Sequence, residues 1–297
     1  MHRAYRKKYN RTMKINFTKY HGAGNDFLIF YEEEISGVDK ADLARKACCR
    51  TTGVGADGIL ICSRDPLSME IINCDGSHAS MCGNGIRCFT SYCIDEGIVS
   101  TDAFSIQTDA GEMVANVIGR DPFSCEINMG KPDWSPSVAG VDFDGKEAFI
   151  DKKIDLPDGK TIIASCLFMG TSHTVVWIDA ENNVDVPDIQ NEEELEAFGR
   201  MLHALPIFPK YTNVNMAVIS DKDEITVRTY ERGAGMTAAC GTGACATVVV
   251  ANKQGKTGND VRVKLLIDSV KVRIESDETV FMAGPAVRIA SGVYSYT

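Results

Sequence analysis

The sequence contains no Cys-x-x-Cys pair, and its five histidines do not fall at spacings that would complete a zinc site with cysteine. This absence argues against structural zinc and against a dithiol redox motif. Positive charge is also scarce, with 31 Lys and Arg against 41 Asp and Glu and a net charge of −10. Neither nucleic acid nor an anionic membrane attracts so acidic a chain, so a small molecule is the expected partner.

Long apolar runs are missing as well. No stretch approaches the roughly eighteen apolar residues of a membrane span, and the N-terminus lacks an apolar signal core. A cytoplasmic location is the resulting prediction. The eleven cysteines mostly stand among apolar neighbours, which is typical of reduced, buried thiols in that compartment. A thiol redox or metal-storage protein would need resolving pairs close in sequence, and there are none.

With 297 residues and 44% apolar composition, the chain is long enough for two domains. Residues 1–12 are basic and almost without apolar content, so we predict a disordered extension there. A polar stretch with prolines and glycines at about 130–146 is the expected linker. The predicted domains are 13–133, completed by a C-terminal strand at about 286–297, and 134–285.

A glycine-rich turn within residues 231–255 places Cys240 at the start of an apolar helix. Free N–H groups and the helix dipole at that position favour a thiolate, so we expect a lowered cysteine pKa. Residues 81–97 repeat the plan: Cys82 opens a helix that closes on a glycine at the same distance. This internal repeat predicts that two cysteines meet across one cleft. One thiolate and one thiol on opposite faces of a carbon can invert a stereocentre.

The remaining pattern is mostly short β-runs separated by turn signals, with further helices predicted near 39–49 and 191–204. The spacing of the runs indicates mainly antiparallel pairing. We therefore predict an α+β fold of two pseudo-symmetric domains, each a mostly antiparallel, barrel-like sheet curled around one central helix.

Five blocks carry a specific resemblance: KYHGAGNDF (19–27), NCDGSHASMCGNGIRCF (73–89), GTSHTVV (170–176), FPKYTNVN (208–215) and YERGAGMTAACGTGACA (230–246). Together, and in this order, they resemble the signature blocks of the diaminopimelate epimerase family. The resemblance implies an isomerase that epimerises an amino acid of lysine and peptidoglycan precursor biosynthesis without pyridoxal phosphate, other cofactor or metal. It leaves open whether the chain forms a homodimer.

The resemblance also assigns roles to residues. It implies that Cys82 and Cys240 are the two bases. Backbone amides are implied to hold the reacting α-carboxylate, at Gly83, Asn84, Gly241 and Thr242. Side chains that tune the cysteines and the substrate ammonium are implied at Asp26, His173 and Glu231. The implied substrate contacts are Asn25, Asn73, Asn213, Glu231 and Arg232. On turn chemistry alone, Asn25 and Asp26 are typical of a plain turn.

Two positions depart from the family pattern. Thr171 stands where the family keeps an asparagine of the distal substrate site, and Met236 stands where it keeps a glutamate. Buried hydrogen bonds decide which substrates such a site accepts. Diaminopimelate is the expected substrate, and histidine or another amino acid is the alternative.

Other classes of protein fit less well. Gly241 to Ala246 matches a dinucleotide-binding fingerprint, with Asp260 near the distance of a ribose contact, but no strand directly precedes the glycines. A binding protein without activity is a remote alternative, and the presence of both cysteines counts against it.

Overall fold

The computed structural model of the protein describes residues 12–145, 147–179, 183 and 186–297. Apart from Thr12, the predicted N-terminal extension lies outside the described residues. No helix in this described part is long and apolar enough to cross a bilayer.

Strands dominate the fold. They are β1 (Met13–Gly22), β2 (Asn25–Tyr31), β3 (Gly58–Arg64), β4 (Leu67–Asn73), β5 (His78–Ala79), β6 (Ala103–Thr108), β7 (Gly111–Arg120), β8 (Phe123–Gly130), β9 (Lys152–Asp155), β10 (Thr161–Phe168), β11 (Ser172–Trp177), β12 (Asn213–Asp221), β13 (Glu224–Glu231), β14 (Gly235–Thr237), β15 (Asp260–Lys264), β16 (Ser269–Ile274), β17 (Val280–Pro285) and β18 (Val287–Tyr296). Most pairings among them are antiparallel, in agreement with the predicted fold class.

The helices are α1 (Lys40–Ala47), α2 (Gly83–Asp95), the one-turn α3 (Pro136–Ala139), α4 (Glu192–His203) and α5 (Gly241–Lys253). Asp39 caps α1 and Asn191 caps α4 through their side-chain oxygens, which satisfies backbone N–H groups that no helical carbonyl reaches. Three glutamates in the first turn of α4 suit the positive end of its dipole.

One series of strand pairings occurs twice. In the first copy β1–β2 is antiparallel, β2–β3 parallel, β3–β4 and β4–β5 antiparallel, and β4–β6 parallel. In the second copy β10–β11, β11–β12, β12–β13, β13–β14 and β13–β15 follow the same order and directions. The helices α2 and α5 occupy equivalent places, between β5 and β6 and between β14 and β15. The sequence repeat is therefore a structural repeat.

The two copies meet where β8 pairs antiparallel with β17. After β17 the chain returns to the first copy, because β18 pairs with β1 from Met13↔Tyr296 to His21↔Val287. On these pairings we propose the domain division 13–133 with 286–297, and 134–285.

The central helices are apolar for a physical reason: each is enclosed by its sheet. Residues Gly83 to Cys93 of α2 are all buried, and so are most residues of α5. Both helices contribute to one core cluster that spans the two copies. A mostly apolar helix is typical of such an enclosed position, and the buried Asn84 and Arg87 of α2 are exceptions to it.

The structure adds elements that the sequence pattern does not predict. The strands β9 and β14 were not expected, and the expected linker contains the short helix α3. The final β-run divides at Ala286 into β17 and β18, which pair with different neighbours.

Candidate active site

Cys82 and Cys240 are the N-cap residues of α2 and α5, and both have extended backbone angles. The amide of Gly85 donates to Cys82 Sγ at 3.4 Å. On the other helix, Thr242 Oγ1 lies 3.5 Å from Cys240 Sγ. Each sulfur thus lies at the end of a buried helix that carries N–H groups without intrahelical acceptors.

The two helix starts are joined directly. Asn84 Nδ2 of α2 donates to the carbonyl of Ala239, the residue before Cys240, at 3.0 Å. Met282 of β17 fits between the starts: a Cβ added to Gly83 or Gly241 would lie 2.7 or 3.0 Å from its Cε. Only glycine leaves room for this approach. The structure therefore brings together the two halves of the predicted site at the first turns of the two helices.

The surroundings of the two sulfurs do not lower the cysteine pKa values, as the sequence had led us to expect. Burial raises the pKa of Cys82, and this effect outweighs the N–H groups of Gly85 and Asn84, which lower it. Burial also raises the pKa of Cys240, and the charge of Glu231 raises it further, against the opposing effect of Thr242 and Gly243. The helix ends act in the predicted direction, but desolvation of the thiolates is larger. Both thiols are therefore harder to ionise than an ordinary cysteine.

Glu231 ends β13 beside Cys240. Burial raises the pKa of its carboxyl group, and Thr237 Oγ1, which donates to Oε1 at 2.5 Å, works against that rise. Its charge also acts on Cys82, which places the carboxylate within electrostatic reach of both sulfurs.

Asn25 and Asp26 begin β2 on the Cys82 side. The Cys82 thiol donates to Asn25 Oδ1 at 3.7 Å, and Asn25 Nδ2 donates to Asp57 at 2.7 Å. Asp26 is paired with Lys19 and Arg50, at 2.7 and 2.8 Å. Burial raises the pKa of Asp26, but these two cations outweigh it and hold the pKa below its usual range. The structure thus places Asn25 against the sulfur and Asp26 in the ion pairs behind it.

His173 lies fully buried on β11. Asn215 Nδ2 donates to its Nδ1 at 3.1 Å, so the ring proton is on Nε2. That Nε2 atom has no hydrogen-bond partner among the described residues. Burial, with a smaller effect of the Arg232 charge, lowers the pKa of His173 to about 3. The imidazole is therefore neutral, with one N–H to give.

A polar cluster adjoins the second helix. Asn213 accepts from the Arg232 amide at 2.7 Å and donates to Thr171 Oγ1 at 3.4 Å. The Arg232 guanidinium donates to the Lys210 carbonyl. Thr171, which departs from the family pattern, is therefore a hydrogen-bond partner of Asn213.

Asn73 and Met236 have local or packing contacts. Asn73 ends β4, and its side chain bonds to Ser77 at 3.0 Å within its own turn. Met236 packs against a core cluster formed mainly by α4, β10 and β12, so its departure from the family pattern introduces a packing residue.

Four residues around the two helix starts were not predicted from the sequence: Asp57, Arg87, Asn215 and Met282. Only Arg87 gave a local signal, since it is a charge inside an otherwise apolar helix.

A cavity of about 310 Å³ opens beside the helix starts. It is lined from both copies, by Met81 and Met129 on one side and Gly170 and Thr242 on the other. A second cavity of about 330 Å³, around Glu70 and His78, shares no residue with the site. The described residues contain no group of three or more His, Cys, Asp or Glu placed to bind a metal ion.

Comparison with known proteins agrees with this geometry. Among solved structures, a probable proline racemase from Agrobacterium radiobacter has a TM-score of 0.67 at 16% identity, covering 94% of this chain and 92% of that one. A hydroxyproline epimerase from Agrobacterium vitis also has a TM-score of 0.67, at 15% identity, with 95% and 91% covered. At these identities the likeness concerns the fold.

The closer likeness is in sequence. The diaminopimelate epimerase from Clostridium perfringens is 38% identical over 288 residues, which cover 95% of this chain and all of that protein. The one from Halothermothrix orenii is 35% identical, with 94% and 98% covered. The family model for diaminopimelate epimerase matches residues 17–135 and 165–289. The chain belongs to the diaminopimelate epimerase family.

Proposed function

We propose that this protein is a cofactor-independent amino-acid epimerase in which Cys82 and Cys240 transfer protons at one α-carbon. The observation that carries the proposal is the hydrogen bond from Asn84 to Ala239, which links the first turn of α2 to the residue that precedes Cys240. We expect the substrate to enter from the cavity of about 310 Å³, which is lined by Met81, the residue before Cys82, and by Thr242 of α5.

The chemistry balances without an external reagent. A thiolate on one face takes the α-proton, and the electron pair remains on the substrate as a carbanion. The thiol on the opposite face then gives its proton to that carbon and becomes the thiolate. The product is the opposite configuration, and the enzyme is left with its two protonation states exchanged.

The developing charge needs stabilisation that the helix starts can supply. The amides of Gly83 and Asn84, and those of Gly241 and Thr242, belong to the first turns, where N–H groups have no helical acceptor. Such groups bind a carboxylate well. The bound α-carboxylate would then direct the α-carbon to a place between the sulfurs, and exclusion of water would strengthen every contact.

Substrate binding would also lower the raised pKa of Cys240. An α-ammonium group beside Glu231 would neutralise the charge that raises the pKa of Cys240. We infer that binding of the ammonium group increases the fraction of Cys240 that is present as the reactive thiolate.

Diaminopimelate is the proposed substrate, because the relatives at 32–38% identity bear that name. Its distal end would lie against the cluster of Thr171, Asn213 and Arg232. The threonine hydroxyl accepts from Asn213 and so keeps its own proton to donate, which suits a carboxylate oxygen.

The test is α-deuterium incorporation in D₂O, followed by NMR, with LL-diaminopimelate, L-histidine and L-proline as substrates. We expect exchange and inversion with diaminopimelate. Exchange into histidine alone would contradict diaminopimelate as the substrate but would agree with the proposed two-cysteine mechanism. No exchange in any amino acid would contradict the proposed function.

Serine variants locate the bases. Cys82→Ser and Cys240→Ser should each reduce epimerisation by about 10³-fold or more, since a two-base transfer needs both groups. Cys88→Ala and Cys245→Ala are matched controls, because these buried cysteines stand on the same helices one or two turns later. Both controls should retain activity. Full activity in either serine variant would remove that cysteine from the mechanism.

A homodimer is proposed through β18. Within the described residues this strand pairs only with β1, and its exposed face carries Val287, Ile289 and Val293. An antiparallel pairing of β18 with a second copy would satisfy its free edge. Sedimentation velocity should show a dimer that Ile289→Asp dissociates. Ile118→Asp, at another exposed apolar position, is the control and should leave the dimer intact.

A further inference from the structure

Arg87 is the largest fully buried side chain among the described residues, and it is the sole buried Lys or Arg there. Its hydrogen-bond partners are neutral. It donates to the carbonyls of Gly83 at 3.1 Å and Pro285 at 3.3 Å, to Asn84 Oδ1 at 3.0 Å and, more weakly, to Met282 Sδ at 3.7 Å. A buried charge without a charged partner is costly, so this arrangement calls for a specific purpose.

The contact with Asn84 fixes an orientation. A guanidinium group has five N–H donors and no acceptor, so it can face only the oxygen of a carboxamide. Arg87 therefore holds Asn84 Oδ1, and the Nδ2 group must point the other way. There it donates to the Ala239 carbonyl at 3.0 Å and to Asn25 Oδ1 at 3.2 Å.

These two acceptors lead to the two sulfurs. Ala239 directly precedes Cys240, and Asn25 Oδ1 accepts from the Cys82 thiol. One carboxamide is thus bonded to the peptide that carries one cysteine and to the side chain that contacts the other. If Asn84 were reversed, its oxygen would face two acceptors and both contacts would be lost.

The guanidinium has little freedom to move. A Cβ added to Gly22 or Gly284 would lie 3.1 Å from Arg87 Nη2 or Nε. The bond to Pro285 connects α2 to the end of β17 in the other copy. Arg87 is therefore fixed by groups from both halves of the fold.

Only one of the two repeated helices has an arginine at this position. Arg87 and Cys245 both stand five positions after the capping cysteine of their helix. The second copy has a neutral, buried thiol at the place where the first has the guanidinium. The orientation of the Asn84 carboxamide, which joins the two helix starts, therefore depends on a residue of α2.

We propose that Arg87 is a positioning residue: by fixing the carboxamide of Asn84 between Ala239 and Asn25, it sets the separation of the Cys82 and Cys240 sulfurs. The proposal builds on the proposed function, because it gives that separation a catalytic purpose. Its main test, however, needs no substrate.

The test is intramolecular bridging with 1,3-dibromoacetone. Each thiolate displaces one bromide, so a bridge forms two C–S bonds and releases two bromide ions. Mass spectrometry of peptides reports the fraction of protein in which Cys82 and Cys240 are joined, and the fraction alkylated once. In the wild type, bridging should dominate. In Arg87→Met it should fall about tenfold while single alkylation continues, because a displacement of about 1 Å has large effects on such reactions.

Asn84→Asp is the second variant. Its carboxylate keeps two acceptor oxygens for Arg87 and gains an opposite charge, so the fold should be retained. It has no donor for Ala239 or Asn25, so bridging should fall as it does in Arg87→Met. Cys245→Ala, at the equivalent position of the second helix, should bridge like the wild type. Asn84→Asp decides the question if Arg87→Met does not fold.

Kinetics give a second measurement. In Arg87→Met, kcat should fall about 100-fold and KM should change less than about threefold, because alignment is lost and binding groups remain. Wild-type bridging and kcat in a folded Asn84→Asp protein would overturn the proposal, and so would absence of bridging in the wild type. Bridging that depends on Arg87 in a protein without α-proton exchange would contradict the proposed function alone.

Discussion

Cys82 and Cys240 have equivalent backbone positions, yet their neighbours differ. Cys240 lies beside the partly buried carboxylate of Glu231, whereas Cys82 contacts the neutral amide of Asn25. Arg87 slightly lowers the pKa of Cys82 and does so from within the same helix. The pseudo-symmetric pair is therefore electrostatically unequal, and the inequality can be measured residue by residue.

Glu231→Gln should shift the alkylation of Cys240 to lower pH. The carboxylate charge raises the pKa of this cysteine, so its removal should lower that pKa. The measurement is the rate of iodoacetamide labelling at Cys240 against pH, read by peptide mapping. Glu126→Gln removes a carboxylate that is paired with Arg273 in another sheet region, and it should leave the profile in place. An unchanged midpoint in Glu231→Gln would contradict the assigned interaction.

His173 should make stability depend on pH. Its folded pKa, about 3, lies below its unfolded value, so the unfolded chain binds more protons between about pH 3 and 6.5. Stability is therefore complete above about pH 6.5 and is lost as the pH falls, with a slope of up to about 1.4 kcal/mol per pH unit from this group.

Urea unfolding at several pH values checks this expectation. His173→Asn should show a shallower loss of stability below pH 6.5 than the wild type, because the variant has no imidazole to protonate. Imidazole NMR should show His173 neutral throughout that range while the protein remains folded. A wild-type ring that titrates near pH 6 would contradict it.

Residue patterns could predict the capping cysteines because helix starts leave a local signature of glycine and small residues. They could not predict Arg87 or Asn215 as members of the site. Two of the partners of Arg87, Met282 and Pro285, come from β17, almost two hundred positions away. Those of Asn215 come from β11 and β13. Such contacts depend on tertiary pairing, which local sequence does not contain. Desolvation of the thiols, which reversed the expected pKa direction, has the same origin.

At the scale of the helix, the third residue after each capping cysteine offers a matched comparison. A Cβ added to Gly85 would lie 3.4 Å from Cys82 Cβ and Leu60 Cδ2, which is ordinary contact. A Cβ added to Gly243 would lie 2.3 Å from Asn215 Oδ1 and 3.2 Å from Cys240 Sγ. A side chain therefore has room at position 85 but not at the equivalent position 243.

Gly243→Ala should lower the free energy of unfolding by about 1–3 kcal/mol through overpacking. It should also displace Asn215, the partner of His173, and reduce epimerisation. Gly85→Ala should be nearly neutral, since alanine favours the helix by up to about 1 kcal/mol and meets no close atom. Thermal and urea unfolding of the pair check this. Equal destabilisation of both variants would contradict the difference between the two helix starts.

Elements with strong local signals were the predictable ones. The expected helix at 191–204 agrees closely with α4, because Asn191 caps it and an apolar face repeats along it. The strand β9 has four residues and β14 has three. Strands of that length have too few residues to establish an alternating pattern, and they form only because a longer neighbour offers a free edge.

On the scale of the whole molecule, the last strand connects the C-terminal end of the chain to the first copy. Tyr294 and Tyr296 of β18 pack against a core cluster formed by β1, β2, β3 and α1. Tyr296 Oη donates to Asp42 at 2.7 Å, and Lys46 of α1 donates to the carbonyl of Thr297. By these contacts the C-terminus belongs to the first copy, although the second copy precedes it in sequence.

Removal of residues 286–297 should therefore open the first copy and spare the second. β1 would lose its pairing with β18, and the cluster beneath α1 would be exposed to water. Hydrogen exchange read by mass spectrometry should show lost protection in β1 and α1, with α4 and β12 still protected. Leu202→Ala is the reciprocal control. It should create a cavity in the core beside α4, lower the free energy of unfolding by about 2–5 kcal/mol and open the second copy first. Uniform loss of protection in both variants would contradict the proposed domain division, because two cores that unfold only together would form one cooperative unit.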